Sequence, residues 1–175
     1  MSKDIINRVT NSSLVTIDLE DFYPDGKRVL FDIKKWLFSG QILKEKEFRE
    51  FVKDHDWNSY QNKYVALHCS SDAIIPSWAF LLISISLDPF AKKIVVGDLE
   101  LLETVVFQEI IDAFPIDQYK NKSVIIKGCS NKSIPQTAYL QLITKLLPLV
   151  RSIMYGEACS SVPLFKVKKQ GKGNI

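Results

Sequence analysis

The chain has 175 residues, of which 46% are hydrophobic and 25% are charged, a composition typical of a globular protein with a sizeable core. Its net charge of +3 comes from the last ten residues, which contain four lysines and no acid, so residues 1–165 carry 19 basic and 20 acidic side chains. This balance argues against a nucleic-acid-binding protein, because such proteins usually carry a basic face on the folded body. Residues 1–165 are predicted to form a single α/β domain, and residues 166–175 a flexible basic tail.

The N-terminal 20 residues contain no apolar run that fits a signal peptide. The longest apolar stretch, residues 78–87, is too short to cross a bilayer, which takes about 20 residues. We therefore expect a cytoplasmic protein without a membrane partner. Cysteines in that compartment seldom form structural disulfides, so the three in this chain are expected to be buried, catalytic or metal-bound.

Residues 1–39 contain two short runs rich in β-forming residues, at 14–19 and 28–33. The sequence Tyr-Pro-Asp-Gly at 23–26 separates them, and it is typical of a turn because proline presets φ and glycine accepts a positive φ. These features predict an N-terminal β-hairpin that adds to the edge of a sheet or covers one of its faces.

Residues 40–98 and 99–157 repeat one pattern at an offset of 59 positions; the matches include Phe48 with Phe107, Tyr60 with Tyr119, Asn62 with Asn121, Pro76 with Pro135 and Gly97 with Gly156. Each copy predicts a helix, a strand, a helix and a strand. The predicted helices are 43–53, 76–87, 101–114 and 135–147, and the strands are 64–67, 94–96, 124–127 and 153–155. Alternating helices and strands favour right-handed crossovers and one mainly parallel sheet with helices on its faces.

A Cys-Ser pair follows the first strand of each copy, and a third pair follows the second copy. Ligands of open parallel sheets bind outside the carboxyl ends of the strands, and a helix N-terminus stabilises a thiolate or an anion there. Duplicated units tend to pack as pseudo-twofold pairs, so we predict that these turns meet and form a zinc or iron site. The predicted ligands are Cys69, Cys129, Cys159, Glu100 and His68, and the polar groups expected to bind an anion or to support the ligands are Ser70, Ser130, Asn131 and Ser160.

Two other interpretations stay open. One is a thiol-dependent redox or sulfur-transfer enzyme, with one cysteine of low pKa and another that resolves it. The other is a non-enzymatic interaction protein in which the cysteines only pack. A small molecule or anion as ligand and a homodimer are also compatible with the sequence. The chain contains no GxGxxG, GxxxxGK[ST] or GxSxG motif, which disfavours an ordinary nucleotide-binding enzyme or serine hydrolase.

Four further residues have structural interpretations. Asp98 and Glu157 end equivalent predicted strands and are interpreted as helix caps or turn residues in preference to a general acid–base pair. Trp57 is expected to close the core at the end of a helix. His55 has no Cys or His neighbour in the sequence and is interpreted as a solvated or capping histidine.

Four phrases together resemble a family of small bacterial proteins catalogued as a domain of unknown function: INRVTNSSLVTIDLEDFYP at 6–24, KYVALHCSSDAIIPSWAF at 63–80, KGCSNKSIPQTAY at 127–139 and SIMYGEACSSVPLF at 152–165. The resemblance covers about residues 5–167. It implies a soluble α/β protein in which all three Cys-Ser turns belong to the family pattern. It implies no activity, substrate or catalytic residue.

Overall fold

The computed structural model describes residues 14–128, 131–157 and 159–168, which form a mixed α/β fold with four α-helices and seven strands. In chain order these are β1 (Leu14–Ile17), β2 (Arg28–Asp32), α1 (Glu45–Asp54), β3 (Tyr64–His68), α2 (Ser77–Leu87), β4 (Lys93–Val96), α3 (Leu99–Asp112), β5 (Ser123–Ile126), α4 (Gln136–Leu146), β6 (Ser152–Glu157) and β7 (Ser160–Lys166). Every helix and strand predicted within the two copies is present, with bounds shifted by at most two residues.

The chain groups into two compact units, each with its own sheet. The central unit is Pro24–Phe107, with strand order β2-β3-β4, all parallel. The terminal unit takes its described residues from Met1–Tyr23 and Gln108–Ile175, and its strand order is β1-β5-β6-β7. Its first three strands are parallel and β7 is antiparallel. The expected parallel pairing is therefore present, but in two sheets. The assignment of residues 1–165 to a single domain stays a prediction.

The structure does not confirm the N-terminal hairpin, because β1 and β2 belong to different sheets. β1 pairs in parallel with β5, and β2 pairs in parallel with β3. A 3₁₀ turn, Leu19–Phe22, follows β1 directly and redirects the chain before the Tyr-Pro-Asp-Gly sequence is reached. Each N-terminal strand thus completes the sheet of one copy, which also explains why the four strands of the two copies do not share one sheet.

The repeated Tyr-x-Asn-Lys sequence has a local structural cause. Asn62 and Asn121 both have a left-handed backbone, with φ of 59° and 60°. Asparagine tolerates this conformation better than most side chains. The backbone N–H of Asn62 donates to the carbonyl of Phe90, and that of Asn121 donates to the carbonyl of Leu149, at 2.9 and 2.8 Å. Asn62 and Asn121 therefore shape the turns into β3 and β5. The duplication itself remains an interpretation of the sequence.

The core of the central unit lies between its sheet and the helices α1 and α2. Every fourth residue of α2 on the inner face is fully buried, which is the spacing that puts side chains on one side of a helix. The cluster consists of Phe31, Ile33, Phe48, Val52, Val65, Leu67, Ala79, Ile83 and Leu87.

A buried ion pair joins β2 to α3 within the central unit. Arg28 Nε donates to Glu103 Oε1 at 2.6 Å, and the two side chains are 13% and 8% exposed. The guanidinium also lies 4.6 Å from the ring centre of Tyr64 on β3. Removal of either charge would deprive the other, largely buried charge of this ion pair, which destabilises the fold. This pair therefore fixes α3 against the start of β2.

His55 is the C-cap residue of α1 and is half-buried among aromatic rings, which agrees with its interpretation as a capping residue and corrects the solvated alternative. Its ring centre lies 4.6 Å from that of Trp57 and 5.3 Å from that of Trp36. Trp57 donates its indole N–H to the carbonyl of Val52 at 2.8 Å and packs against the core, as expected. Burial lowers the pKa of His55 below its ordinary value, and the nearby Asp56 opposes this shift.

We expect the free energy of unfolding to fall between about pH 7.5 and about pH 5.5, because the unfolded chain then binds a proton that folded His55 resists. His55→Phe keeps a ring in the cluster and should reduce this fall, as measured by urea unfolding at both pH values. An equal fall in wild type and His55→Phe would contradict this account.

Candidate functional site

The Cys-Ser turn of the central unit lies at the carboxyl edge of its sheet, as the sequence predicts. β3 ends at His68, and Cys69 and Ser70 follow at once. The neighbouring β2 ends at Asp32, which is paired with His68 in the strand register. Parallel strands bring these ends to one edge, so an acid, an imidazole, a thiol and hydroxyls are grouped there.

The carboxylate of Asp32 holds this turn in place. Its Oδ2 accepts the hydroxyl of Ser70 at 2.6 Å, and its Oδ1 accepts the backbone N–H of Ser70 at 3.1 Å. Oδ1 also accepts the N–H of Lys34 at 3.0 Å, which caps the 3₁₀ turn Ile33–Trp36. Both donors of Ser70 that were expected to bind an anion therefore already contact a carboxylate of the chain.

These contacts also set the ionisation of Asp32. Burial acts to raise its pKa, but the hydrogen bonds from Ser70 and Lys34, together with the charge of His68, lower it below the ordinary value. Asp32 is thus an anion at neutral pH, and its charge is matched by donors from both β2 and β3. An additional anion at this turn would meet like charge.

Cys69 is half-buried and packs against the core, with its Sγ 3.2 Å from the hydroxyl of Ser71. The sequence predicts the next helix from residue 76, and α2 does begin at Ser77, eight residues after Cys69. The dipole effect of a helix is confined to about its first turn. The loop between Cys69 and Ser77 therefore removes the main physical reason to expect a thiolate here.

The terminal unit repeats the acid at the equivalent edge. Asp18 follows β1, accepts the N–H of Glu20 at 3.0 Å, and forms a 2.7 Å ion pair with Lys127, which follows β5. Burial acts to raise the pKa of Asp18, and the contacts with Lys127 and Glu20 lower it. The hydrogen bond and charge of Asp18 raise the pKa of Lys127. The N–H of Asn131 donates to Glu20 Oε2 at 3.1 Å, so this predicted anion donor also meets an internal carboxylate.

The predicted metal ligands gain no support from the structure. Within residues 14–128, 131–157 and 159–168, no three His, Cys, Asp or Glu side chains form a group that could hold a metal ion. Cys69, His68 and Glu100 lie in the central unit, and Cys159 lies in the terminal unit, where it is exposed. Glu100 is exposed on the first turn of α3, and Ser160 is exposed at the start of β7. Cys129 and Ser130 fall outside the described residues.

Of the two strand-end carboxylates, Asp98 caps α3, because its Oδ1 accepts the N–H of Leu101 at 2.8 Å. This confirms the capping interpretation for Asp98. Glu157 is the last residue of β6 and is half-buried.

An open groove of about 950 Å³ runs beside the Cys-Ser turn of the central unit. Its wall includes Ile74, whose side chain is 94% exposed, and Ile42, which is 57% exposed. The full lining is Lys34, Ser39, Gly40, Gln41, Ile42, Leu43, Ser70, Ser71, Asp72, Ala73, Ile74 and Pro76. The carboxyl edge thus offers apolar and polar groups side by side, without a buried catalytic cluster among these residues.

Sequence reasoning missed Asp18 and Asp32, the two acids that organise these edges. A signal was present: LVTIDL and RVLFDI share valine, a large apolar residue and aspartate at the same spacing, 14 residues apart. This shared spacing would have indicated that Asp18 and Asp32 occupy equivalent positions at the ends of two strands.

A family model described as "Protein of unknown function (DUF2480)" matches residues 3–167. The chain belongs to this family. The DUF2480 match confirms the resemblance to a domain of unknown function, and it supplies neither an activity nor a bacterial origin. Comparisons with curated proteins and with solved structures found no match. Among the described residues of this DUF2480 protein, the helices are too short or too polar to cross a membrane.

Asp32→Ala should lower the free energy of unfolding by about 1–2 kcal/mol, because it removes the cap of a 3₁₀ turn and the acceptor for Ser70. Asp54→Ala, at an exposed acid on the last turn of α1, is the matched control and should change it by less than about 0.5 kcal/mol. Urea unfolding at neutral pH measures both.

The contribution of Asp32 should be present above about pH 3.8 and disappear as the pH falls through the lowered pKa of the folded protein. A difference between wild type and Asp32→Ala that persists unchanged at lower pH would contradict the assignment of the effect to the charged carboxylate.

Proposed function

We propose that the protein is a non-enzymatic interaction protein that acts as a homodimer joined through the outer face of α2. One observation carries this proposal: on that face, Leu81 and Ile85 are 61% and 71% exposed. Ser77 lies on the same face, one turn earlier, and is also exposed. Large apolar side chains grouped on an exposed surface are typical of protein contact sites.

The sequence of α2, SWAFLLISISL, contains no charged residue. Its inner face is buried in the core, so the apolar residues of the outer face are not needed to pack the central unit. A helix that is apolar on all sides is usually buried on all sides. The outer face of α2 therefore has the composition of a covered surface.

The absence of charge on α2 favours a second copy of the chain as the occupant. In a two-fold interface the same patch contacts itself, so any charge on it would face an identical charge. α2 avoids this repulsion, whereas α1 (EKEFREFVKD) is mostly charged. A membrane surface is a poorer occupant, because helices that lie on membranes usually carry lysine and arginine beside the apolar face.

The size of the surface predicts the strength of the dimer. A helix of 11 residues is about 16 Å long. A standard stable interface buries about 800 Å² per partner, more than one face of such a helix provides. We therefore expect a weak dimer in exchange with monomer, as for small transient interfaces.

Sedimentation equilibrium over about 1–300 µM should show a mass that rises from monomer to dimer in the wild type. Leu81→Lys/Ile85→Lys should remain monomeric, because it places like charges against each other. Leu140→Lys is the control, because Leu140 on α4 occupies the position equivalent to Leu81 at the offset of 59 residues and is 65% exposed. This variant should associate like the wild type. A monomeric wild type across the range would overturn the homodimer.

A photo-crosslinking amino acid at position 85, with position 140 as control, identifies the occupant in cells. The proposal expects a crosslink from position 85 to a second copy, and none to a second copy from position 140. A crosslink from position 85 to a different protein alone would overturn the homodimer. Absence of any protein crosslink from position 85 would overturn the interaction function as a whole.

The cysteine metal site and the thiol enzyme remain predictions, and both can be separated from this proposal. Elemental analysis of protein purified without chelator should show no stoichiometric zinc or iron if the protein acts only by contact. One equivalent of either metal per chain would contradict the proposal and support the cysteine site. Rapid alkylation of one cysteine below neutral pH would instead support thiol chemistry.

A further inference from the structure

The terminal unit has a groove of about 800 Å³ at the end of its sheet where β5 and β6 begin and β7 ends. This is the opposite end of β5 from the predicted Cys-Ser turn. The lining is Ser123, Arg151, Ser152, Met154, Pro163, Phe165, Lys166, Val167 and Lys168.

The groove is positively charged. Arg151, Lys166 and Lys168 line it, all three are exposed, and no acid is part of the lining. Among the described residues, no ion pair or side-chain hydrogen bond occupies any of these three cations. Two of these cations, Lys166 and Lys168, belong to the basic last ten residues, and Arg151 adds a third positive charge beside them.

Backbone pairing brings polar groups of three neighbouring strands together in the groove. Ser123 of β5 is paired with Ser152 of β6, and Ser152 is paired with Lys166 of β7. The backbone of Arg151 is hydrogen-bonded to the segments before β5 and after β7. Its N–H donates to the carbonyl of Lys122, and its carbonyl accepts the N–H of Val167. The cation at position 151 therefore projects from a backbone that the sheet holds in place.

The same groove has an apolar part, formed by Met154, Pro163, Phe165 and Val167. A ligand that satisfies the whole lining needs an anionic group for the cations and an apolar or aromatic group for these side chains. Arginine binds phosphate through two parallel hydrogen bonds, and a phosphate monoester carries a charge of about −1.5 to −2 at neutral pH. Three cations match such a dianion better than they match a single carboxylate.

We infer that this groove binds a phosphate monoester that carries an apolar or aromatic group. Arg151 and Lys166 contact the phosphate, the hydroxyls of Ser123 and Ser152 donate to its oxygens, and the apolar part lies against Phe165 and Met154. The inference rests on the terminal unit alone and does not depend on dimer formation through α2.

Isothermal titration of the full chain with phenyl phosphate tests the inference. We expect phenyl phosphate to bind at least about tenfold more tightly than inorganic phosphate, since a buried phenyl group adds hydrophobic contact. Phenol, which lacks the anion, should bind more weakly than phenyl phosphate. Binding should weaken with added salt, because the cations are exposed. Equal affinity for phenyl phosphate and inorganic phosphate, or no binding of phenyl phosphate, would overturn the inference.

Arg151→Gln and Lys166→Gln should each weaken phenyl phosphate binding at least about fivefold, as expected for loss of a hydrogen bond to a charged group. Lys46→Gln is the matched control, because it removes one positive charge from the exposed surface of α1 and should leave the affinity unchanged within about twofold. Equal weakening in all three variants would show that net charge alone attracts the phosphate, and it would also overturn the inference.

Discussion

Parallel pairing on both sides of β3 and of β5 is the constraint on which the rest of the structure depends. Each is a strand of four or five residues inside its sheet, and their apolar side chains are buried. A strand with two buried faces must also satisfy its backbone N–H and C=O groups on both edges, because unpaired polar groups are costly away from water. β4 and β6 follow helical connections and satisfy one edge, and β2 and β1 satisfy the other.

This pairing determines what lies at the carboxyl edges. Because β2 runs parallel to β3, Asp32 at the end of β2 lies beside the turn that follows His68. Its carboxylate accepts hydrogen bonds from both the backbone N–H and the hydroxyl of Ser70. In the terminal unit, Asp18, which follows β1, lies beside Lys127 and forms an ion pair with it. The two edges therefore contain acids supplied by residues 1–39, and each acid neutralises donors or a cation of the turn next to it. This arrangement explains why turns that looked suited to anions in the sequence are already satisfied within the chain.

The surfaces left for partners follow from the same architecture. Packing of α2 against the sheet uses only Ala79, Ile83 and Leu87 and the residues beside them, so its other side remains apolar and exposed. In the terminal unit, addition of β7 antiparallel to β6 brings Lys166 next to Ser152 and creates a basic groove at the starts of the strands. These two surfaces differ in chemistry, one uncharged and one cationic, and each therefore suits a different class of partner.

The sequence by itself determined the local elements. The four helices, the strands within the two copies and the capping role of Asp98 all follow from periodicity and capping, which act over a few residues. Only the tertiary structure decided which strands pair, because backbone hydrogen bonds are the same for every sequence and the partner is chosen by long-range packing. That choice put β1 and β2 into separate sheets, and it placed Asp32 at Ser70, 38 residues away in the chain. It also left the predicted ligands Cys69 and Cys159 in different units.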